Sequence, residues 1–321
     1  MIPGCAGRYR FINFVGQGAF SKIAVAEDMK LHKEVAIKIL DRNQIWENGL
    51  LEYTERELRL IQRMSHPSLP AVQDIIYDES SIMIVMEYLP NGTIIESLNN
   101  KIFMTLNERI EICYKILEGI AYMHERGIAH RDIKPENIVF DIYNNPKIVD
   151  FGFSCDHCDN KHTFCGTPVY MAPEIILRKN YNALKADIWS FGVTAHIILT
   201  MAFPFKFINE AKYFKDIKHC SLEKYNLCPG LLGKYIDMCL EYDPNKRPSA
   251  SELLNLLSRF LDDKSQKISN TCKNVTNKIK VPQLNVQSNI KNNHFKTGRD
   301  IYTGLAIKTN ANYRLRRVSS L

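Results

Sequence analysis

No signal peptide opens this sequence, and its nine cysteines follow no framework spacing. Both absences argue against a secreted, disulfide-stapled protein and predict a reducing intracellular setting, cytoplasmic with the nucleus open to it. Glycine does not directly follow Met1, because Ile2 and Pro3 precede Gly4, and no lipidation motif closes the other end. A lipid anchor is therefore not expected. Long apolar runs are missing too. The longest, Trp189 to Phe205, carries Ser190 and His196 and falls short of the roughly 20 residues that span a bilayer. It predicts a buried helix rather than an integral membrane segment. Internal repeats are absent, which excludes solenoids and propellers. What is present, 45% hydrophobic and 24% charged residues in 321, is the make-up of a globular protein with a sizeable core, not of a chain disordered throughout.

Charge is spread unevenly. Residues 261–321 hold 12 Lys and Arg against 3 Asp and Glu, a balance of +9 that leaves −2 for residues 1–260 out of the total of +7. This basic stretch is rich in Asn, Lys, Ser and Thr, and has few regularly spaced apolar residues with which to offset ordering entropy. A disordered basic extension is predicted, with at most weak, nonspecific contact to nucleic acid or acidic membranes.

Before residue 90 the chain reads as strands: Arg10 to Val15, Lys22 to Glu27, Glu34 to Leu40, Ala71 to Tyr77 and Ile82 to Tyr88. One helix interrupts them, from about Leu51 to Met64, ending at the Ser65-His66-Pro67 breaker. Past Pro90-Asn91-Gly92 the period changes to helical. Thr105 with Glu108 forms a capping box, followed by Ile112, Ile116, Ile120 and Met123 at helical spacing. Ser249 with Glu252 forms another. The expected fold class is α+β. It has a small antiparallel-sheet lobe with one helix (about 8–89), a hinge near Glu87 to Gly92, and a larger helical lobe (about 90–260). Ligands favour the cleft between such lobes.

Gly16-Gln17-Gly18-Ala19-Phe20-Ser21 lies between two strands, where glycines allow backbone N–H groups to approach phosphate oxygens. Alone this could be an ordinary hairpin turn. In Val35-Ala36-Ile37-Lys38-Ile39, period-two alternation puts Val35, Ile37 and Ile39 on one face and Ala36 with Lys38 on the other, toward the cleft. A lone strand lysine is usually a solvated edge residue. Here the glycine loop upstream and Glu57 on the following helix favour a phosphate-binding ammonium held by a carboxylate.

His130-Arg131-Asp132-Ile133-Lys134-Pro135-Glu136-Asn137 is followed 18 residues after Asp132 by Asp150-Phe151-Gly152, and later by Ala172-Pro173-Glu174. In this order the segments resemble the protein kinase family over nearly all of residues 8–260. The resemblance implies the bilobal protein kinase fold and transfer of the γ-phosphoryl group of ATP, carried with Mg²⁺, to a protein hydroxyl. By the same resemblance Asp132 takes the proton of the substrate hydroxyl, Lys134 neutralises the transferring group, and Asn137 and Asp150 hold Mg²⁺. The nucleotide is implied to lie against Gly16, Gly18, Ser21, Lys38 and its partner Glu57. Its adenine would sit between Ile23 and Ala36 above and Val139 below, read by the hinge backbone from Glu87 to Leu89, with Met86 as gatekeeper. Lys134 and Gly166-Thr167-Pro168 resemble the serine/threonine branch. The Met86-Glu87-Tyr88 run and the Thr-Phe-Cys-Gly-Thr-Pro run are similar to the calcium/calmodulin-dependent and AMP-activated group. No basic amphipathic helix of the calmodulin-target kind follows residue 260. Asp187 and the Glu174–Arg247 pair match structural positions of the family.

Thr163 stands at the spacing of the family's activation-loop phosphorylation site, so an upstream activating kinase is an expected partner alongside serine- or threonine-bearing protein substrates. Cys155, His157, Cys158, His162 and Cys165 fall within eleven residues and invite a zinc reading. It is set aside because no second Cys-x-x-Cys pair exists. Ser21 replaces the third glycine of the phosphate loop, and Thr93 stands where kinases that select basic residues often carry an acid. The closing Arg316-Arg317-Val318-Ser319-Ser320 is similar to a site that such kinases phosphorylate. The competing reading is a pseudokinase scaffold. The joint presence of Lys38, Glu57, Asp132, Asn137 and Asp150 favours catalysis over it.

Overall fold

The structure, a computed structural model, describes residues 4–258 apart from positions 19, 20, 157, 159, 160, 162, 178, 179, 207 and 226. The basic segment 261–321, with Ser319 and Ser320, and the histidines 157 and 162 of the zinc reading lie outside the described residues.

Strands β1 (Cys5–Ala6), β2 (Tyr9–Gln17), β3 (Ser21–Asp28), β4 (Lys33–Asp41), β5 (Val72–Tyr77) and β6 (Ser81–Glu87) form one antiparallel sheet in the order β1-β2-β3-β4-β6-β5. The alternation in β4 works as its sequence implies. Val35 and Ile37 are fully buried in a small core with Tyr9, Ala26, Met83 and Val85, while Ala36 and Lys38 face the other side. Each such buried aliphatic side chain contributes about 1.5–3 kcal/mol. The sheet has one more strand than the sequence suggests, the two-residue β1, and its lobe has one more helix, α1 (Arg42–Glu47). Six residues are too few for a 3.6-residue period to show. The local signal is Asp41, whose Oδ1 accepts from the Asn43 and Gln44 N–H groups at 2.9 and 3.1 Å. Helix α2 (Leu51–Ile61) buries Glu57, Leu58, Leu60 and Ile61 and stops three residues before the predicted Met64.

The rest is helical: α3 (Ile94–Asn99), α4 (Leu106–Glu125), α5 (Pro173–Ile176), α6 (Ala183–Thr200), α7 (Glu210–Lys218) and α8 (Gly230–Cys239), with a hairpin of β7 (Ile138–Phe140) and β8 (Pro146–Ile148) between α4 and α5. Thr105 and Glu108 cap α4 reciprocally, and residues 250–258 form the helix that Ser249 and Glu252 start, with Ser249 N–H donating to Glu252 at 2.7 Å. Thr93 forms the same kind of box with Glu96 at the start of α3. Its side chain therefore works as a helix cap. The long apolar run predicted as one helix divides. Helix α6 begins at Ala183, capped by Asn182, and ends at Thr200, after which Met201 turns left-handed at φ 60°, so Phe205 lies beyond it. Buried almost all round, α6 packs Trp189 and Phe191 into the same core as Ile116, Leu117 and Ile120 of α4 and Ile236 of α8. Among the described residues no helix is long and apolar enough to cross a membrane.

Candidate active site

Strand β4 points Lys38 at α2, and its Nζ lies 2.5 Å from Glu57 Oε1 and 3.5 Å from Asp150 Oδ1. Desolvation favours the neutral amine, but the Glu57 and Asp150 carboxylates outweigh it and hold the Lys38 pKa above its ordinary value. The lysine is a fixed cation. For Asp150, burial pushes its pKa up, yet Lys38, His130, the Gly152 N–H and Lys134 together hold it below the usual carboxylate range. It is an ionised oxygen donor at the mouth of the cleft, half of its side chain exposed.

Asp132 stands at the centre of a second cluster. Its Oδ1 accepts from Thr167 N–H (3.0 Å) and Thr167 Oγ1 (2.9 Å), and its Oδ2 from Lys134 Nζ (2.7 Å) and Asn137 Nδ2 (2.9 Å). Lys134 Nζ also donates to Thr167 Oγ1 at 2.7 Å. Asn137 uses its amide nitrogen twice on Asp132, for the side chain and for the backbone carbonyl. That orientation presents Oδ1 as the end available to a cation.

Three devices hold this loop. Buried Asp187 on α6 accepts from His130 N–H (2.7 Å), Arg131 N–H (2.8 Å) and His124 Nε2 (3.1 Å). Gly166 sits at φ 106°, where a Cβ would lie 2.7 Å from the Arg131 carbonyl oxygen, so only glycine brings the Thr167 segment this close. Phe151 is buried edge-on to His130, with ring centroids 5.3 Å apart, which turns Asp150 toward Lys38. Arg131 and Asp150 both adopt left-handed backbone, φ 65° and 67°, a conformation that non-glycine residues hold only where their surroundings enforce it.

Of the predicted phosphate loop, Gly16, Gly18 and Ser21 are among the described residues. The Gly18 N–H donates to the Ser21 carbonyl at 2.8 Å, so this amide closes the turn rather than pointing at a ligand. A Cβ on Gly18 would approach Ser21 Oγ to 3.0 Å, which is how serine is accommodated at the third position. Gly16 pairs with Ile23, Ile23 pairs with Lys38, and Ala36 pairs with Met86, so these residues line one surface under the sheet. Val139 in β7 pairs with Lys147 below. The Glu87 side chain is occupied by Lys147 Nζ (2.9 Å) and the Ala71 N–H (3.2 Å), and its own N–H by the Ala71 carbonyl (2.8 Å), leaving its carbonyl, with the backbone of Leu89, as the part able to read a base.

Thr163 lies within reach of the same machinery. Its carbonyl oxygen accepts from Tyr181 OH at 2.8 Å, and Tyr181 lies near enough to the buried Arg131 guanidinium to favour its charge. Tyr181 and His124 are the contributors that reading the sequence missed. Their contacts span 18 and 63 positions and follow no local pattern. Among the described residues no group of His, Cys, Asp and Glu could hold a metal ion by side-chain clustering alone. Cys155 and Cys158 instead meet each other, 3.6 Å apart. Glu174 and Arg247 form the expected pair.

The chemistry of these donors fits a magnesium nucleotide. A carboxylate and an amide oxygen suit a hard cation, a fixed ammonium suits phosphate oxygens, and the sheet's apolar underside suits a base. Residues 9–257 match the protein kinase domain family, and the chain belongs to it. It is 32% identical over 255 residues to CBL-interacting serine/threonine-protein kinase 12 of Arabidopsis thaliana, a match covering 77% of this chain and 52% of that protein. To kinase 15 of the same series it is 33% identical over 255 residues (77% and 60%). To CBL-interacting protein kinase 9 of Oryza sativa subsp. japonica it is 30% identical over 253 residues (77% and 56%). The chain thus spans about half to three fifths of the length of these relatives. Such relatives accord with the serine/threonine branch and the group inferred from the motifs.

Proposed function

We propose that this protein transfers the γ-phosphoryl group of ATP, bound with Mg²⁺, to serine and threonine hydroxyls of protein substrates, and that phosphorylation of Thr163 by an upstream kinase raises its activity. The observation that carries this reading is the convergence of the Lys38–Glu57–Asp150 cluster and the Asp132–Lys134–Asn137–Thr167 cluster on one cleft. Bound Mg²⁺ would neutralise phosphate charge and template the transfer. Asp150 and Asn137 Oδ1 would supply its protein ligands. Lys38, held by Glu57, steadies the phosphates. Asp132 orients the acceptor hydroxyl and takes its proton, which Thr167 and Lys134 make possible by fixing both carboxylate oxygens. Lys134 balances the oxygen charge that grows during transfer. Gly16, Gly18 and Ser21 cover the phosphates, and Ile23, Ala36 and Val139 enclose the base.

Nine cysteines without a framework spacing support action in a reducing, intracellular compartment. The relatives' names record CBL interaction, but the shared stretch is the kinase domain, so that partner forms no part of this proposal.

The test is transfer from Mg-ATP to a generic serine/threonine protein substrate by wild type and by Asp150→Asn. Transfer that vanishes in the folded variant supports the enzyme. A wild type that binds nucleotide but transfers nothing, even with Thr163 phosphorylated, would establish the pseudokinase scaffold instead.

A further inference from the structure

Two cysteines that the phosphoryl-transfer chemistry does not use are held against each other beside it. Cys155 Sγ and Cys158 Sγ are 3.6 Å apart. Both thiols are buried, while Asp156 between them is partly exposed and pairs with the exposed Arg59 of α2 at 3.1 Å. The surroundings favour a sulfur anion at Cys155. The adjoining Cys158 sulfur, with the positive charge of Arg131 and Lys161, pulls Cys155 down to about 7 against burial and the Asp187 carboxylate.

The turn is wired into the site at three points. Cys155 pairs through both backbone groups with Ala129, the residue before His130-Arg131-Asp132, at 2.9 and 3.0 Å. The Cys158 carbonyl accepts from Ala183 N–H at 2.9 Å, at the first turn of α6, the helix that carries Asp187. Asp156 holds Arg59, two residues beyond Glu57 on α2. A disulfide has an S–S separation of about 2.0 Å, so closing the pair draws the sulfurs together and takes the Cys158 thiol from the Gly127 and Cys155 carbonyls, now 3.1 and 3.3 Å away.

We propose that Cys155 and Cys158 are a reversible oxidation site, and that a peroxide converts them to a disulfide that lowers phosphoryl transfer. The Cys155 thiolate attacks one peroxide oxygen, the O–O bond breaks, and the departing hydroxide is protonated to water, leaving a sulfenic acid on Cys155. The Cys158 sulfur then attacks the Cys155 sulfur, the S–O bond breaks, and hydroxide leaves with the Cys158 proton as a second water. Two thiols give up two electrons and two protons to one peroxide. A dithiol reductant reverses the bond by exchange. Closure reshapes the turn between the sulfurs, and with it the Asp156 contact to α2 and the Ala129 pairing at the start of the Asp132 loop.

The effect on rate rests on the kinase reading, whereas the disulfide is detected independently of it. Purified full-length protein is treated with hydrogen peroxide, blocked with N-ethylmaleimide and mapped by mass spectrometry without reduction. The expected result is a peptide in which Cys155 and Cys158 are joined and unblocked, together with a severalfold fall in transfer that dithiothreitol restores. Cys158→Ser keeps the untreated rate, loses neither activity nor the Cys155 thiol to a disulfide, and traps sulfenic acid at Cys155 as a dimedone adduct. Cys158→Ala provides the same comparison should the serine variant not fold, and Cys155→Ala forms neither the adduct nor the disulfide. If the untreated protein transfers nothing, nucleotide affinity of the reduced and oxidised forms replaces the rate. Blocked thiols on both residues after peroxide overturn the proposal. So does a disulfide that changes neither rate nor affinity, or stoichiometric zinc in the purified protein.

Discussion

Arg247 and Glu174 meet in a parallel two-pronged ion pair, Nη1 to Oε1 at 2.6 Å and Nη2 to Oε2 at 2.7 Å, with both side chains buried. The remaining guanidinium hydrogens reach the Glu241, Tyr242 and Lys185 carbonyls, and the Trp189 ring lies 5.1 Å from the charge. Every donor is used, so the pair ties the segment after Thr167 to the end of the helical lobe. Removing one partner leaves the other charge buried and alone, at a cost of about 3–5 kcal/mol. Arg247→Met should therefore lower the urea midpoint strongly, and Arg247→Met with Glu174→Gln should recover part of the loss. A single variant that unfolds with wild type would show that the pair contributes nothing.

Glu57 fixes the Lys38 ammonium, so Glu57→Gln should keep the fold and lose function. Its carboxylate is buried 2.5 Å from Nζ, and an amide there cannot match the charge that holds the lysine above its ordinary pKa. The expected fall in kcat/KM is on the order of 10²-fold, comparable to loss of one preorganised electrostatic contact. Glu55→Gln, on the exposed face of the same helix, should change nothing measurable. Steady-state kinetics beside circular dichroism separates the two, and equal behaviour of both variants would refute the role given to Glu57.

Legibility from sequence followed the range of the interaction. Strand alternation around Lys38 and the capping boxes at Thr105 and Ser249 are local, so the sequence displays them, and the structure repeats them within a residue or two. The motif order singled out Asp132, Asn137 and Asp150, and the structure places Asn137 on Asp132 and Asp150 beside Lys38. What sequence could not display were contacts made by folding: Tyr181 on the Thr163 carbonyl, His124 on Asp187, Lys147 occupying Glu87. Helix α1 escaped because its six residues form less than two turns. The cysteine-rich turn was legible as a cluster but not as a pair, since only the fold decides which sulfurs touch.

Tyr181 hydroxyl donates to the Thr163 carbonyl at 2.8 Å and lies near enough to the Arg131 guanidinium to favour its charge. A phosphate on Thr163 would add about −1.5 to −2 charge beside that cation. Stoichiometric phosphorylation at Thr163 should thus raise kcat, Thr163→Ala should hold the enzyme at its basal rate, and Tyr181→Phe should weaken the response to phosphate by loosening the loop. Phosphopeptide mapping paired with initial rates reads all three. Full activity in unphosphorylated Thr163→Ala would count against the switch.

Oxidation of the Cys155–Cys158 pair should depend on pH in a window set by Cys155. The Cys158 thiol, Arg131 and Lys161 lower it to about 7 while burial and Asp187 oppose them, against about 8.5 for an ordinary thiol. The reactive form is the thiolate. Disulfide formation by peroxide should therefore accelerate as pH rises through about 7 and level off above it. The sign for stability is the same: a thiol whose folded pKa is depressed adds stability above its unfolded value, and that addition is lost as pH falls through the folded one. Cys158 opposes it only at higher pH, since its own proton is held far more tightly. Timed alkylation after peroxide, from about pH 5 to about pH 9, measures the curve. A midpoint at the ordinary thiol value would show that Arg131 and Lys161 do not act on the sulfur.

Thr167 gives the sharpest test of how Asp132 is held. Its hydroxyl donates to Asp132 Oδ1 at 2.9 Å and accepts from Lys134 Nζ at 2.7 Å, while its N–H, which no side-chain change removes, also reaches Oδ1 at 3.0 Å. Thr167→Val keeps the volume and the backbone bond but deletes the hydroxyl. The carboxylate then loses one of the two donors at Oδ1, and Lys134 loses the acceptor that keeps it between Asp132 and the loop. Both groups stay in the cleft, so substrate binding should be little changed while the proton acceptor is less well aimed. A fall in kcat between about tenfold and about a hundredfold is expected, the size of a misplacement rather than of a missing residue. Thr167→Ser, which restores the oxygen, should recover most of it. If valine and serine variants turn over at the same rate, the hydroxyl does not position Asp132, and the backbone N–H alone suffices.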